Sequence, residues 1–189
     1  MVNYNYIANW AAKCVISHKQ EVRFNWAAYG GWERWFQGTL APYLFNQCNL
    51  IVDTEVPPTV RPEALVNQNG QRVDIVCYEK NNISYIELKC IPFTAIAGGV
   101  NPLSYCNGVY NDWKKLYYRA ANQLISLVLI PCDVDGMGTL IYNALAQTAK
   151  NNNLSYECRC CVRNNDPYMY VCAFNITQHN NEILTIQTI

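Results

Sequence analysis

Residues 72–90 read RVDIVCYEKNNISYIELKC, and the fold turns on how they are paired. Two runs of alternating, strand-like character flank Asn81-Asn82. Such alternation is the pattern of strands that bury one face. Asparagine tolerates left-handed backbone angles, so the pair predicts a two-residue hairpin turn. In that register Lys80 pairs with Ile83, and Asp74 lies opposite Lys89. Val73, Ile75, Cys77, Ile86, Leu88 and Cys90 then share an apolar face, while Asp74, Glu87 and Lys89 project from the other. Only 15% of the residues are charged, so three of them converging on one hairpin face call for an explanation.

Working outward, residues 4–19 read as a short amphipathic helix. A second helix is expected over about 21–41, with Trp32, Trp35, Phe36 and Leu40 at three- and four-residue steps and Pro42 at its end. NLIVDTEV reads as a strand, followed by the proline-rich connection PPTVRPEALVNQNG. Beyond the hairpin, CIPFTAIAGGVNPLSYCNGVYN reads as a long loop, and DWKKLYYRAAN as a helix whose start Asp112 supports. LISLVLIP has the apolar character of a parallel strand. GTLIYNALAQTAKNN is a further helix, and SYECRCCVR and YMYVCAFNI are late strands joined at NNDP. This alternation predicts a single α/β domain over 1–189, with a mixed central sheet flanked by helices.

Half of the 189 residues are hydrophobic and 13% aromatic, the composition of a folded protein with a real core. No apolar run approaches membrane-span length, and MVNYNYIANWAAKC lacks a signal-peptide pattern, so a cytoplasmic protein is expected. The ten cysteines are therefore expected as reduced thiols. Cys158, Cys160, Cys161 and Cys172, with His179, offer enough candidate zinc ligands. Their spacing is not that of a zinc ribbon or finger, and Cys161 opposes Cys158 and Cys160 on a strand, so buried or surface thiols are the preferred reading. Formal charge is zero, from 14 basic and 14 acidic residues. Nucleic-acid binding by bulk electrostatics is thus disfavoured, leaving local patches such as Lys114, Lys115 and Arg119.

The hairpin charges have a plain reading, a cross-strand ion pair of Asp74 with Lys89 and a solvated Glu87 beside it. A sharper reading is a divalent-cation site, because Mg²⁺ takes oxygen ligands, one or two carboxylates with water and phosphate oxygens. A neighbouring lysine can orient or deprotonate an attacking water and offset charge on a phosphate. Glu33 supplies a third carboxylate. Tyr29, Glu33 and Gln37 recur at four-residue steps, forming a polar strip beside the aromatic stripe.

Asp74, separated by twelve intervening residues from Glu87 in the string IELK at 86–89, resembles the core of the PD-(D/E)xK nuclease superfamily, the restriction-endonuclease-like fold. GWERWFQGTLAPYL is similar to the first-helix segment of compact members. The resemblance covers about residues 21–131 and implies an αβββαβ core, with the C-terminal strands as additions. It implies Mg²⁺, or Mn²⁺, on Glu33, Asp74 and Glu87, with Lys89 as the catalytic lysine. Gln37, Lys114 and Lys115 are then candidates for substrate binding. Val73 stands where the name-giving proline would be. The implied activity is metal-dependent hydrolysis of nucleic acid, DNA before RNA, and many small enzymes of this fold work as homodimers. The alternative is an inactive protein of the same fold that serves in binding or self-assembly, for which 14 tyrosines and 5 tryptophans supply adhesive surface. Tyr29, Trp32, Phe93, Tyr105 and Tyr110 are candidates for base stacking, though core packing is the commoner use of such residues.

Overall fold

In the computed structural model, which describes residues 2–27, 32–56, 72–92, 101, 103–132, 136–163 and 166–177, the hairpin lies inside a six-stranded sheet. The elements in chain order are α1 (Tyr4–Ser17), α2 (Lys19–Ala27), α3 (Trp32–Cys48), β1 (Ile51–Val56), β2 (Val73–Glu79) and β3 (Asn82–Cys90), then α4 (Leu103–Tyr117), β4 (Gln123–Pro131), α5 (Met137–Asn151), β5 (Tyr156–Arg163) and β6 (Asp166–Asn175). The sheet order is β1-β2-β3-β4-β6-β5. β1, β2 and β3 are antiparallel, β4 is parallel to β3, and β6 and β5 continue antiparallel. The expected mixed sheet flanked by helices is present.

The hairpin keeps the predicted faces except at Val73, which packs in the core on the α4 side, and it does not keep the predicted register. The turn residues are Lys80 and Asn81, with Lys80 at φ 55°, and Glu79 pairs with Asn82. Ile75 therefore faces Ile86. One further step along the same register sets Asp74 beside Glu87, not Lys89. A two-residue slip leaves every side chain on its own face, so alternation alone does not distinguish the two pairings. The observed one is held from outside the hairpin. Asn122 Oδ1 accepts the Ile83 amide at 2.8 Å, and Ser84 aligns with Gln123 of β4.

Two cores lie on the two faces of the sheet. On one face α1 and α3 deliver Ile7, Ala11, Val15, Phe36, Leu40 and Leu44 onto Ile75, Ile86, Leu127 and Val171. On the other, α4 and α5 deliver Val109, Trp113, Leu116, Ile141 and Leu145 onto Val76, Val128 and Phe174. Both faces of β4 are covered, which is why LISLVLIP is apolar throughout instead of alternating. Each fully buried aliphatic or aromatic side chain here contributes about 1.5–3 kcal/mol of transfer free energy. α1 starts on Asn3, whose side chain accepts the Tyr6 amide, and ends at His18, whose ring bonds the Cys14 carbonyl.

Three expected boundaries move. The helix expected over about 21–41 is described as α2 and α3, with residues 28–31 outside the description. Pro42 does not end α3, which runs on to Cys48. Leu40, Ala41 and Leu44 are buried across that point, and this packing outweighs the lost hydrogen bond of an exposed proline. The helix expected from Asp112 begins at Leu103, leaving Asp112 in its second half. Tyr29, Phe93 and His179 lie outside the described residues. No helix among the described residues is long and apolar enough to cross a membrane.

Candidate active site

Asp74, Glu87 and Lys89 line a cleft of about 250 Å³ over the α4 side of the hairpin. Four acids, Glu33, Asp74, Glu87 and Asp112, and four bases, Arg72, Lys89, Lys115 and Arg119, surround it with the Leu88 backbone. The charges arrive from several elements. Asp74 comes from the start of β2, and Glu87 and Lys89 from the second half of β3. Asp112 and Lys115 come from α4. Glu33, in the first turn of α3, reaches the end of β3 from the other side of the sheet.

Each carboxylate has a distinct anchor. Asp74 Oδ2 accepts the Leu88 amide at 2.7 Å. Glu33 Oε2 accepts the Cys90 amide at 2.9 Å and lies 3.7 Å from Lys89 Nζ. Glu87 Oε1 lies 3.8 Å from Nη2 of Arg119, whose side chain is fully buried. Asp112 pairs with Lys115 at 2.8 Å. The Lys89 stem runs beside Gly108, where an added Cβ would sit 3.7 Å from Lys89 Cε.

Burial dominates the electrostatics at the centre, and Arg119 offsets it only in part at Glu87. Burial, then the charges of Asp74 and Asp112, push Glu87 up to about 8. Asp74 is also raised, chiefly by burial, although the Leu88 amide and a hydrogen bond from Glu87 work against the shift. These shifts favour a proton held between the two carboxyls, on Glu87 and directed at Asp74. Glu33 is raised by burial, and the Cys90 amide and Lys89 oppose that rise. Removing solvent from clustered carboxylates favours their protonated forms unless a cation compensates.

Of the sequence candidates, Asp74, Glu87, Lys89, Glu33 and Lys115 share this cleft. Lys114 is not among its lining residues. Gln37 is buried, with Nε2 donating to the Asp74 carbonyl at 2.6 Å and to Glu55 Oε1 at 3.2 Å. Its amide nitrogen fixes α3 against β2, so Gln37 positions the strand that carries Asp74 and is not offered to a ligand. Trp32 and Tyr110, suggested as stacking platforms, are buried in the cores. Arg119, Arg72 and Asp112 were not chosen from the sequence as site residues. Arg119 lies just past α4, and neither motif nor periodicity separates it from a surface arginine.

The donor set suits a hard divalent cation. Among the described residues no three His, Cys, Asp or Glu side chains form a ready-made cage. Mg²⁺ needs none, since it keeps several waters and takes one or two carboxylates. Asp74 and Glu87 supply that pair, side by side in the cleft. Zinc has no comparable set among the described residues: Cys161 is buried toward α1, with Sγ 3.9 Å from the Ala12 carbonyl, whereas Cys158 and Cys172 pack on the α5 face. The four candidate cysteines cannot converge on one ion.

No protein-family model, curated protein or solved structure matches this chain.

Proposed function

We propose that the chain is a Mg²⁺-dependent nuclease of restriction-endonuclease-like fold, hydrolysing phosphodiester bonds of nucleic acid, with DNA the favoured substrate. The observation that carries it is geometric: Asp74 and Glu87, neighbours across the hairpin, share one cleft with Lys89 and Glu33. The element order α3-β1-β2-β3-α4-β4, with β4 parallel to β3, supports the αβββαβ reading.

Asp74 and Glu87 would hold the cation, with Glu33 at its flank; Mn²⁺ fits the same oxygen donors. The bound ion supplies Lewis acidity toward a phosphate oxygen. The Lys89 side chain is 35% exposed, and its Nζ, tethered by Glu33, offers N–H groups to the attacking water and to the phosphate oxygens. Water adds at phosphorus as the ester P–O bond breaks, and the water's proton passes to the leaving oxygen. Lys115 and Arg119 add positive charge on the α4 side. Arg119 also keeps Glu87 in place while the cation is absent.

The test is calorimetric Mg²⁺ or Mn²⁺ binding on wild type, Asp74→Ala and Lys89→Ala, with plasmid cleavage on the same samples. Metal binding lost in Asp74→Ala but kept in Lys89→Ala, with cleavage lost in both, is the expected result. Wild type that neither binds metal nor cuts any nucleic acid sinks the proposal. The inactive, self-associating form of the fold then leads, and the exposed Phe45 and Ile51 at the junction of α3 and β1 favour it.

A further inference from the structure

A second cleft, of about 450 Å³, lies on the opposite face of the sheet and is lined by Lys19, Gln20, Arg23, Phe24 and Tyr168. None of these described lining residues is an acid, in a chain whose formal charge is zero. Lys19 and Arg23 are one turn apart on α2, and Gln20 and Phe24 form the adjacent row, so a cationic ridge runs beside an aromatic one. Val22 is buried and anchors the helix, leaving this strip facing out. Among the described residues neither Lys19 nor Arg23 has an ion-pair partner. Phe24 is 78% exposed, the most exposed of the large apolar side chains among the described residues. An aromatic face left in water beside two uncommitted cations suits a ligand that is both planar and anionic.

The position matches the first cleft. Tyr168 pairs its carbonyl with the Cys132 amide just beyond β4, and Cys90 aligns with Leu129 of β4. Both clefts therefore open at the end of the sheet where β3 and β4 terminate. Tyr168 and Cys90 are two strand spacings and three residues apart, about 14 Å on ideal sheet dimensions. Glu33, in the first turn of α3, holds the Cys90 amide, and α2 packs against α3.

We propose that this cleft binds single-stranded nucleic acid, with Lys19 and Arg23 on backbone phosphates and an unpaired base stacked on Phe24. Resting on the nuclease reading for its purpose, the subsite would hold an unpaired strand leading to or from the bond cut at Lys89. It also offers a route by which a neutral chain binds nucleic acid: a local basic and aromatic strip in place of a basic surface.

The test is fluorescence anisotropy of a short labelled single-stranded deoxyoligonucleotide in EDTA, where a metal-dependent site cannot cut. The chains are wild type, Lys19→Gln/Arg23→Gln and Phe24→Ala, at salt from about 50 to about 200 mM. The double variant should bind at least tenfold more weakly and lower the salt slope by about 1.4, for two phosphate contacts at about 0.7 each. Phe24→Ala should lose about tenfold with the slope unchanged, as loss of one stacked base does. Duplex of the same sequence should not respond to Phe24→Ala. Circular dichroism and thermal unfolding confirm that these exposed substitutions leave the fold intact. Equal binding by all three chains, no binding by wild type, or equal losses on duplex and single strand overturns the subsite. Plasmid cleavage separates the two proposals. Cutting with unchanged strand binding in the variants leaves the nuclease without this subsite; strand binding lost in the variants, with no cutting by wild type, leaves the subsite without the nuclease.

Discussion

At the scale of single residues, the decisive contact is between two side chains that repel when both are ionised. Glu87 is pushed up to about 8 by burial and by its neighbours Asp74 and Asp112. A divalent cation must displace the shared proton to bind there. Metal affinity should therefore rise with pH, by about tenfold per unit while one proton is displaced, and level off above about 8. Glu87→Gln keeps the shape but cannot ionise, so its Mg²⁺ affinity should be weak and nearly flat over the same range. Calorimetric titrations at a series of pH values check both, and a flat wild-type profile removes the shared proton from the account. Lys89 has a separate role. Lys89→Met should leave Mg²⁺ affinity within about threefold of wild type while lowering cleavage by two or more orders of magnitude, the range of lost general-acid or electrostatic assistance. A large loss of metal affinity in Lys89→Met would instead make Lys89 a structural counter-charge, holding Glu33 at the end of β3.

At the scale of elements, the helices carry local conflicts that tertiary packing overrides. Pro42 sits exposed inside α3, where it lacks the amide that would bond the Gly38 carbonyl. Pro42→Ala should raise stability by about 1–3 kcal/mol in urea unfolding, the cost of interior proline less its benefit in the unfolded chain. Gly38 has nothing within 4 Å of an added Cβ, and Gly38→Ala should add up to about 1 kcal/mol. Gly138 is the contrast. An added Cβ there would lie against the Pro131 carbonyl oxygen, so Gly138→Ala must move the first turn of α5 off the end of β4. It should cost more than about 2 kcal/mol, within the range of core overpacking; a neutral result means the two elements shift freely. The same conflicts explain what the sequence yields. Every strand from β1 to β6 is legible, because alternation, apolar runs and turn residues are local signals. The end of α3 and the start of α4 are not, because Pro42 and the loop-like NPLSYC stretch are overruled by burial of Leu44, Cys106 and Val109. The hairpin register is illegible for another reason: its two candidates differ by two residues and bury the same side chains. Only Asn122 and β4 choose between them.

At the scale of the whole molecule, that choice of register changes the electrostatics of folding. With Asp74 beside Lys89 the site would be an ion pair, and rising pH would leave it intact. With Asp74 beside Glu87 the fold itself opposes ionisation. The Asp74, Glu87 and Lys89 trio could be read from the hairpin, and Glu33 from the helix pattern. Arg119 could not, since its place over Glu87 depends on how α4 crosses the sheet. The sign of the stability effect follows from proton counts. Glu87 goes from its ordinary 4.5 in the unfolded chain to about 8 in the folded one. Between those values the folded state binds more protons, so its stability is full below about 4.5 and declines as pH rises toward 8. The slope is up to about 1.4 kcal/mol per pH unit for one such group, added to whatever the other carboxylates contribute. Glu87→Gln should flatten that decline, because the amide is neutral in both states. Saturating Mg²⁺ should reverse the trend. It binds the ionised pair in the folded chain and stabilises by mass action, so its increment in thermal midpoint should grow from pH 6 to about 8. Thermal unfolding of wild type and Glu87→Gln across that range, with and without Mg²⁺, measures all of this in one series. If the Mg²⁺ increment is the same in both chains at every pH, the cation is bound elsewhere and the hairpin carboxylates serve the fold alone.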